Sequence, residues 1–388
     1  MKSICKKLGV LVEKVDNRNA DSNINELRGV KITKEFMPSV ANIHGTDMKK
    51  YKIVYHNMFT ANLMHVDRDK IIPIALWEKE YPIIVSPAYD VFRIKDGVGV
   101  IPEYLMLCFK RKDFDRNGWF FSGSSIRGNL TWDKICDIKI PVPSLEAQRK
   151  IVSRYSTFTK RIVYLSNLVK IFRNIGVNIL KKKFDANKID PLTIKYDDER
   201  LKAYSINTLD KIARKINAGG TPSRDLNEYW EDGSIPWLKI GEINNSFIFD
   251  SEEYITNKGL SNSSAKIVNE DSLLLSMYCV SEEPNVGINK FLTTTNQAIC
   301  AIEFDDYNRL AYMYFYFLAF SRRMLRRANG SVQTNLSKKI IQEFHIIDIY
   351  KEKSNYTLFT KILNQIENYE RQRNILEEMQ ALLIFEME

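Results

Sequence analysis

The residue types that do chemistry in enzymes are sparse in this chain, and none is grouped. Four histidines, His44, His56, His65 and His345, share no HExxH or Cys/His spacing of the kind that ligates a metal. No glycine is followed by lysine, so the phosphate-cradling G-x-x-x-x-G-K-[ST] loop is absent, and Gly97-Val98-Gly99 lacks the rest of a dinucleotide fingerprint. No proline precedes another proline or an aspartate. That removes the Asn-Pro-Pro-aromatic motif of amino-methylating enzymes and the usual start of a nuclease carboxylate motif. What remains is binding chemistry. Between Arg309 and Lys339 stand seven cations and no acid: Arg309, Arg322, Arg323, Arg326, Arg327, Lys338 and Lys339. Such clustering suits phosphates, because each one neutralised releases counterion. Lys110, Arg111, Lys112 and Arg116 form a weaker counterpart. A solvated helix face accounts for either cluster equally well, and both readings stand on sequence alone.

The rest of the chain must position these groups. Its 388 residues suggest two or three domains. A net charge of +9 favours an anionic partner, with nucleic acid foremost. The longest apolar run, Ala311–Phe320, is too short to cross a membrane, which takes about 18 residues, and no signal-like segment follows Met1. Cys5, Cys108, Cys136, Cys279 and Cys300 are odd in number and contain no CxxC, so a reducing cytoplasm is the expected setting.

The chain repeats itself. Ser125-Ile-Arg-Gly-Asn-Leu-Thr131 returns 206 positions later as Ser331-Val-Gln-Thr-Asn-Leu-Ser337, with Arg116 opposite Arg322 at the same offset. Ile135, Ile138 and Ile140 answer to Ile341, Phe344 and Ile346. Arg173-Asn174-Ile175 matches Arg373-Asn374-Ile375 at an offset of 200, so the second copy is six residues shorter, a loss assigned to the Pro141-Val142-Pro143 corner. A period near 200 is too long for a solenoid and implies two domain-plus-helix units. Short strands are expected at Ile83–Val85, Val91–Ile94, Ser272–Ser276 and Ala298–Ile302, and a turn at Gly219-Gly220-Thr221-Pro222.

Each unit closes with a long helix, each on the order of 50 Å. Ile151, Tyr155, Phe158, Ile162, Leu165, Val169, Phe172, Gly176 and Ile179 alternate spacings of four and three, a heptad seam broken only at the glycine, with Ser144 and Glu146 at its entry. The second seam is Phe359, Ile362, Ile366, Tyr369, Leu376 and Leu383, with Arg373 and Gln380 as polar interruptions. The first helix carries ten cations and no acid between Arg149 and Lys183; the second has seven acids against five cations from Lys351 to Glu388. Opposite charge favours the two pairing with each other, antiparallel, over separate packing on their own domains.

Several segments resemble one family. Gly219-Gly220-Thr221-Pro222-Ser223, Glu228-Tyr229-Trp230 and Ile235-Pro-Trp-Leu-Lys-Ile-Gly241 resemble the opening of a target-recognition domain in the specificity subunits of type I restriction–modification systems. Gly259-Leu260 with Ser263-Ser264-Ala265, Thr295-Asn-Gln-Ala-Ile299 and Gly330–Ser337 resemble later segments of that domain, and Ile140–Arg149 its entry to the long helix. The first half lacks the G-G-T-P opening, and the second lacks the P-x-P-x-L-x-x-Q segment.

The resemblance implies an α+β fold of two mixed α/β target-recognition domains joined by two antiparallel coiled-coil helices in pseudo-two-fold arrangement. The expected division is residues 1–143 and 202–349 for the domains, 144–184 and 350–388 for the helices, and 185–201 for a linker. It implies a non-catalytic subunit that selects DNA for two methyltransferase subunits, and for restriction subunits where present. S-adenosylmethionine, ATP and Mg2+ would belong to those partners, with no cofactor or metal on this chain. A coiled-coil scaffold with twin protein-binding domains is the alternative. Candidate DNA contacts are the two basic clusters with Arg127, Gln333, Lys239 and Tyr278. Asn129 and Asn335 share one place in both copies, and domains that read different half-sites should differ where they read, so a turn or phosphate role is favoured there. The same logic makes Gly219, Gly220 and Pro222 structural, and Trp237 is at least as suited to the core as to DNA.

Overall fold

A computed structural model describes residues 4–39, 46–64, 66–123, 130–184, 204–279, 283–327, 334–349 and 353–387. It divides into two compact units, Met1–Ile162 with Asn374–Glu388, and Val163–Arg373.

In chain order the first unit contains β1 (Ile4–Lys7), α1 (Leu8–Leu11), β2 (Val12–Val15), β3 (Arg28–Val30), β4 (Phe36–Pro38), β5 (Lys52–Val54) and β6 (Phe59–Ala61). Then come α2 (Val66–Asp69), β7 (Ile74–Leu76), β8 (Ile83–Val85), β9 (Asp90–Ile94), α3 (Pro102–Phe109), α4 (Lys112–Phe121), α5 (Trp132–Cys136) and β10 (Lys139–Val142). Helix α6 (Leu145–Lys183) follows. The central sheet has the order β2-β9-β6-β7. Successive residues on a strand face opposite ways, so Phe92 joins Phe59 and Phe109 under α3 while Val91 faces Val54, Trp77 and Val85 on the other side. Phe59 and Phe92 stack at 5.1 Å, with Phe109 edge-on at 5.5 Å. Pro102 stands in the first turn of α3, where its missing N–H costs nothing. The first strand pairs with the last, Ile4 opposite Val142.

The second unit repeats this plan. It contains β11 (Ser205–Thr208), α7 (Leu209–Ile212), β12 (Lys215–Ala218), β13 (Ile235–Leu238), β14 (Phe247–Ile248), β15 (Glu253–Ile255), α8 (Asn257–Ser261), β16 (Ser272–Ser276) and β17 (Tyr278–Cys279). These lead to β18 (Val286–Asn289), β19 (Thr294–Thr295), β20 (Ile299–Glu303), α9 (Tyr307–Phe320), β21 (Thr334–Asn335), α10 (Lys338–Gln342), β22 (His345–Asp348) and α11 (Lys353–Phe385). The sheet order β12-β20-β16-β18-β14 reproduces the first, with one added strand, and β11 closes on β22, Ser205 opposite Asp348. Leu273 and Leu275 face α9 while Leu274 packs with Ile299 and Ala301 on the far side. Helix α9 starts where the Asp306 carboxylate accepts from the Arg309 N–H at 2.9 Å. Its body is nearly all buried, including Tyr312, Tyr314, Phe315 and Tyr316, which is why its periodicity is hard to see in sequence.

The duplication expected from sequence is therefore a duplication of topology, and the mixed α+β class holds. One detail differs from expectation. The six-residue shortfall of the second copy does not remove the strand part of the proline corner: Pro141 and Val142 in β10 answer to Ile347 and Asp348 in β22 at the same offset of 206, so the loss falls after the closing strand.

The seam residues form the less exposed face of both helices. In the second unit Leu165, Val169, Phe359, Ile362 and Ile366 are buried, and Phe172 meets Tyr369 edge-on at 5.6 Å. In the first unit Ile151, Val152 and Tyr155 pack in the same cluster as Met387. The Gln380 amide donates to the Thr159 hydroxyl at 2.7 Å and the Tyr155 carbonyl at 3.4 Å. Gly176 breaks the seam because Phe315 of α9 lies against it: a Cβ would overlap the ring.

Candidate nucleic-acid interface

The basic residues fall into three groups once placed. Some are spent inside the protein. Arg111, its side chain 9% exposed, forks onto Asp113 with Nε–Oδ1 2.9 Å and Nη2–Oδ2 2.8 Å, and its Nη1 donates to the Met387 carbonyl at 3.4 Å. Lys110 donates to the Tyr155 hydroxyl at 3.1 Å and lies over that ring. Arg309 reaches the Ile212 carbonyl at 3.4 Å and Asp348 at 3.9 Å. Others are held at the surface. Lys239 is clamped between Glu252 at 2.8 Å and Glu253 at 2.9 Å, and the hydrogen bonds to Glu252 and then Glu253 keep its ammonium protonated well above the usual lysine range. Burial works to raise the Glu253 carboxyl, but hydrogen bonds from Arg224 and Lys239 outweigh it and hold it low.

The remainder are exposed or half-buried. Lys112 and Arg116 on α4 border a groove floored by Leu382 and Phe385 of α11, the latter 72% exposed. Arg322 is exposed, and Arg323 is half-buried with its guanidinium 5.3 Å from the centre of the Phe320 ring. Lys338 is half-buried on α10, and exposed Lys339 lies 3.8 Å from Glu343. The side chains of Arg326 and Arg327, and residues Arg127, Asn129 and Gln333, lie outside the described residues.

Asn335 is exposed and pairs with Tyr278 in the β17–β21 ribbon, which puts both beside each other on one surface. Leu336 then donates its N–H to the Met277 carbonyl at 2.8 Å, and the Ser337 hydroxyl accepts from Ile340 N–H to start α10. Trp237 is core: it is 2% exposed and its indole donates to the Gly220 carbonyl at 2.9 Å. The Gly219-Gly220 turn lies so close to the Thr295–Asn296 and Ser264 backbone that a Cβ at either position would collide. Beside it the Thr221 hydroxyl donates to the Gln297 side chain.

Three features went unseen in the sequence. Arg224 stacks 3.5 Å from the centre of Trp230 while its Nη1 pairs with Glu253 at 2.6 Å. Gln148 is 0% exposed and fully used: Oε1 accepts from Ile101 N–H at 3.0 Å, and Nε2 donates to the Gly99 and Pro143 carbonyls at 2.8 and 2.9 Å. Glu370 is buried on α11, hydrogen-bonded by Ser246 and 2.5 Å from Arg373 Nη2. Gln148 lies in the quoted P-x-P-x-L-x-x-Q segment, a usable signal; nothing local marks the other two.

Among the described residues no three His, Cys, Asp or Glu side chains converge as a metal site, and no helix is long and apolar enough to cross a membrane. Burial pushes the Cys108 and Cys300 thiols up to about 12, which disqualifies both as nucleophiles at neutral pH.

Two topologically equivalent α+β domains, each followed by a long helix and each exposing cations on the segment after its main helix, define a two-domain binding protein. A family profile described as "Type I restriction modification DNA specificity domain" matches residues 39–170 and 201–378, so the chain belongs to that family. It is 23% identical over 312 residues to the type I restriction enzyme MjaIX specificity subunit of Methanocaldococcus jannaschii, covering 78% of this chain and 71% of that one. It is 28% identical over 216 residues to the EcoR124I/EcoR124II specificity subunit of Escherichia coli, covering 52% and 50%. Its fold matches a crystal structure of a type I restriction–modification S subunit from M. genitalium with a TM-score of 0.53 at 14% identity, over 99% of this chain and 95% of that one.

Proposed function

We propose that the chain is the DNA-selecting subunit of a type I restriction–modification complex. Each recognition domain reads one half of a bipartite target, and the long helices set the half-site separation and dock two methyltransferase subunits. Restriction subunits join where the system has them. The chain itself neither cuts nor methylates; S-adenosylmethionine, ATP and Mg2+ are held by the partners, and the complex works in the cytoplasm. The observation that carries this reading is the repeated sheet, β2-β9-β6-β7 and β12-β20-β16-β18-β14, in one chain. A scaffold used twice suits a target of two half-sites, and half-sites one helical turn apart lie about 34–36 Å from each other. Methylome sequencing of a host expressing the methyltransferase partner, with and without this gene, tests it. A bipartite motif that appears only with the gene is expected; an unchanged methylome would sink the reading.

A further inference from the structure

Among the described residues each long helix carries one buried polar side chain, Gln148 on α6 and Glu370 on α11. Gln148 sits in the first turn and ties the junction. Glu370 sits mid-helix, where a packing contact should be apolar. Its carboxylate, 1% exposed, accepts from the Ser246 hydroxyl through Oε1, and its Oε2 forms an ion pair with Arg373 Nη2 at 2.5 Å. Ser246 belongs to a turn that the sheet and α9 hold still. Asn245 takes a φ of 60°, its side chain accepts from Val286 N–H at 2.8 Å, and its carbonyl accepts from the Tyr314 hydroxyl at 2.7 Å; the Ser246 carbonyl accepts from Ile288 N–H at 3.1 Å.

We propose that Glu370 is a positioning residue that fixes the register of α11 against the second recognition domain, and through it the half-site spacing the complex accepts. This rests on the function proposed above. Apolar seam contacts discriminate poorly between registers, because a slip of one turn replaces one aliphatic side chain by another; a single buried polar contact discriminates strongly. A slip of one turn would present Ile366 or Glu367, or else Arg373 or Asn374, to Ser246. Ile366 cannot accept the hydroxyl, Arg373 offers no acceptor, Asn374 offers an amide acceptor on a side chain one methylene shorter than Glu or Gln, and a slip would take Glu367 from Lys290 at 3.2 Å and the Tyr307 hydroxyl at 3.2 Å. One helical turn is about 5.4 Å, more than the roughly 3.4 Å between base pairs, so a slipped register would change the spacer being read. Lys170 stands where the repeat would put a first-copy equivalent, and it is exposed. The device therefore belongs to one half.

The test is methylation by the assembled methyltransferase complex on a DNA library holding both half-sites fixed while the spacer varies by one or two base pairs. E370L removes the polar contact with Ser246, and Arg373, which loses its ion pair, is a quarter exposed. With both half-sites unchanged, E370L should lower the preference for the native spacer about tenfold, the scale of one charge-assisted hydrogen bond. E370Q, which still accepts from Ser246, should stay near wild type. S246A removes the same contact from the domain side, so it reads the proposal if E370L does not assemble. A strict spacer in E370L or S246A overturns the register role, as does a change in the bases recognised. A wild-type complex that writes no bipartite motif overturns both this inference and the proposed function.

Discussion

Phe315 lies against Gly176, leaving no room for a methyl group between helix α9 and helix α6. Glycine in a helix interior costs about 1 kcal/mol relative to alanine, so propensity alone would make G176A stabilising. Overlap with a ring that is 0% exposed and cannot swing aside reverses the sign. G176A should lose about 1–3 kcal/mol in denaturant unfolding, and F315L should recover part of that loss in the double variant.

The Phe172–Tyr369 contact offers a direct measure of helix pairing in the second unit. A double-mutant cycle with F172A and Y369A should give a coupling of about 0.5–1.5 kcal/mol beyond the sum of lost burial. A coupling near zero would mean that the seam is held by each helix packing separately on the domain.

The basic residues should separate by experiment as they do in space. K339A and R322A each remove an exposed cation, and each should reduce the salt slope of DNA binding by the complex by about one while leaving stability nearly unchanged. R111A should do the opposite: a loss of about 1.5–3 kcal/mol of stability, from a charged hydrogen-bonding group that holds Asp113 and the Met387 carbonyl, with little change in salt slope.

Glu303 governs an acid-sensitive contribution to stability. Burial works to raise its carboxyl, but hydrogen bonds from Asn269 and Arg214, with Lys215 nearby, outweigh burial and hold it below the ordinary 4.5. A carboxyl lowered on folding stabilises above its unfolded value and loses that contribution as pH falls through the folded one. Wild type and E303Q should therefore differ in unfolding midpoint at neutral pH and converge below 4.5.

Much of this architecture was readable from residue order. The seams were, because two helices that share one apolar face must repeat every three or four residues, and Phe172, Ile366 and their neighbours do. The duplication was, because Leu130 and Leu336 each sit in a core beside a short helix that leads to the closing strand. The surface was not. Arg111 and Arg116 look alike in a string of cations, but α4 begins between them, and only the first points to Asp113 and Met387. Lys239 reads as a free cation until β15 brings Glu253 beside it. The missing residues were misplaced for a related reason: an offset counts them without saying whether strand, corner or helix lost them.

The pairing of the first strand with the last has a consequence for synthesis. On the ribosome Ile4–Lys7 has no partner until Lys139–Val142 emerges, and the cluster that holds Leu8, Phe59 and Phe109 also takes in Met387. Ser205–Thr208, by contrast, needs only His345–Asp348 to close its ribbon. The unit translated first is thus the unit completed last. Until the final helix arrives it carries an unfilled core, and its exposure to proteases and to mispairing in the cell is set by the time taken to make the other half of the chain.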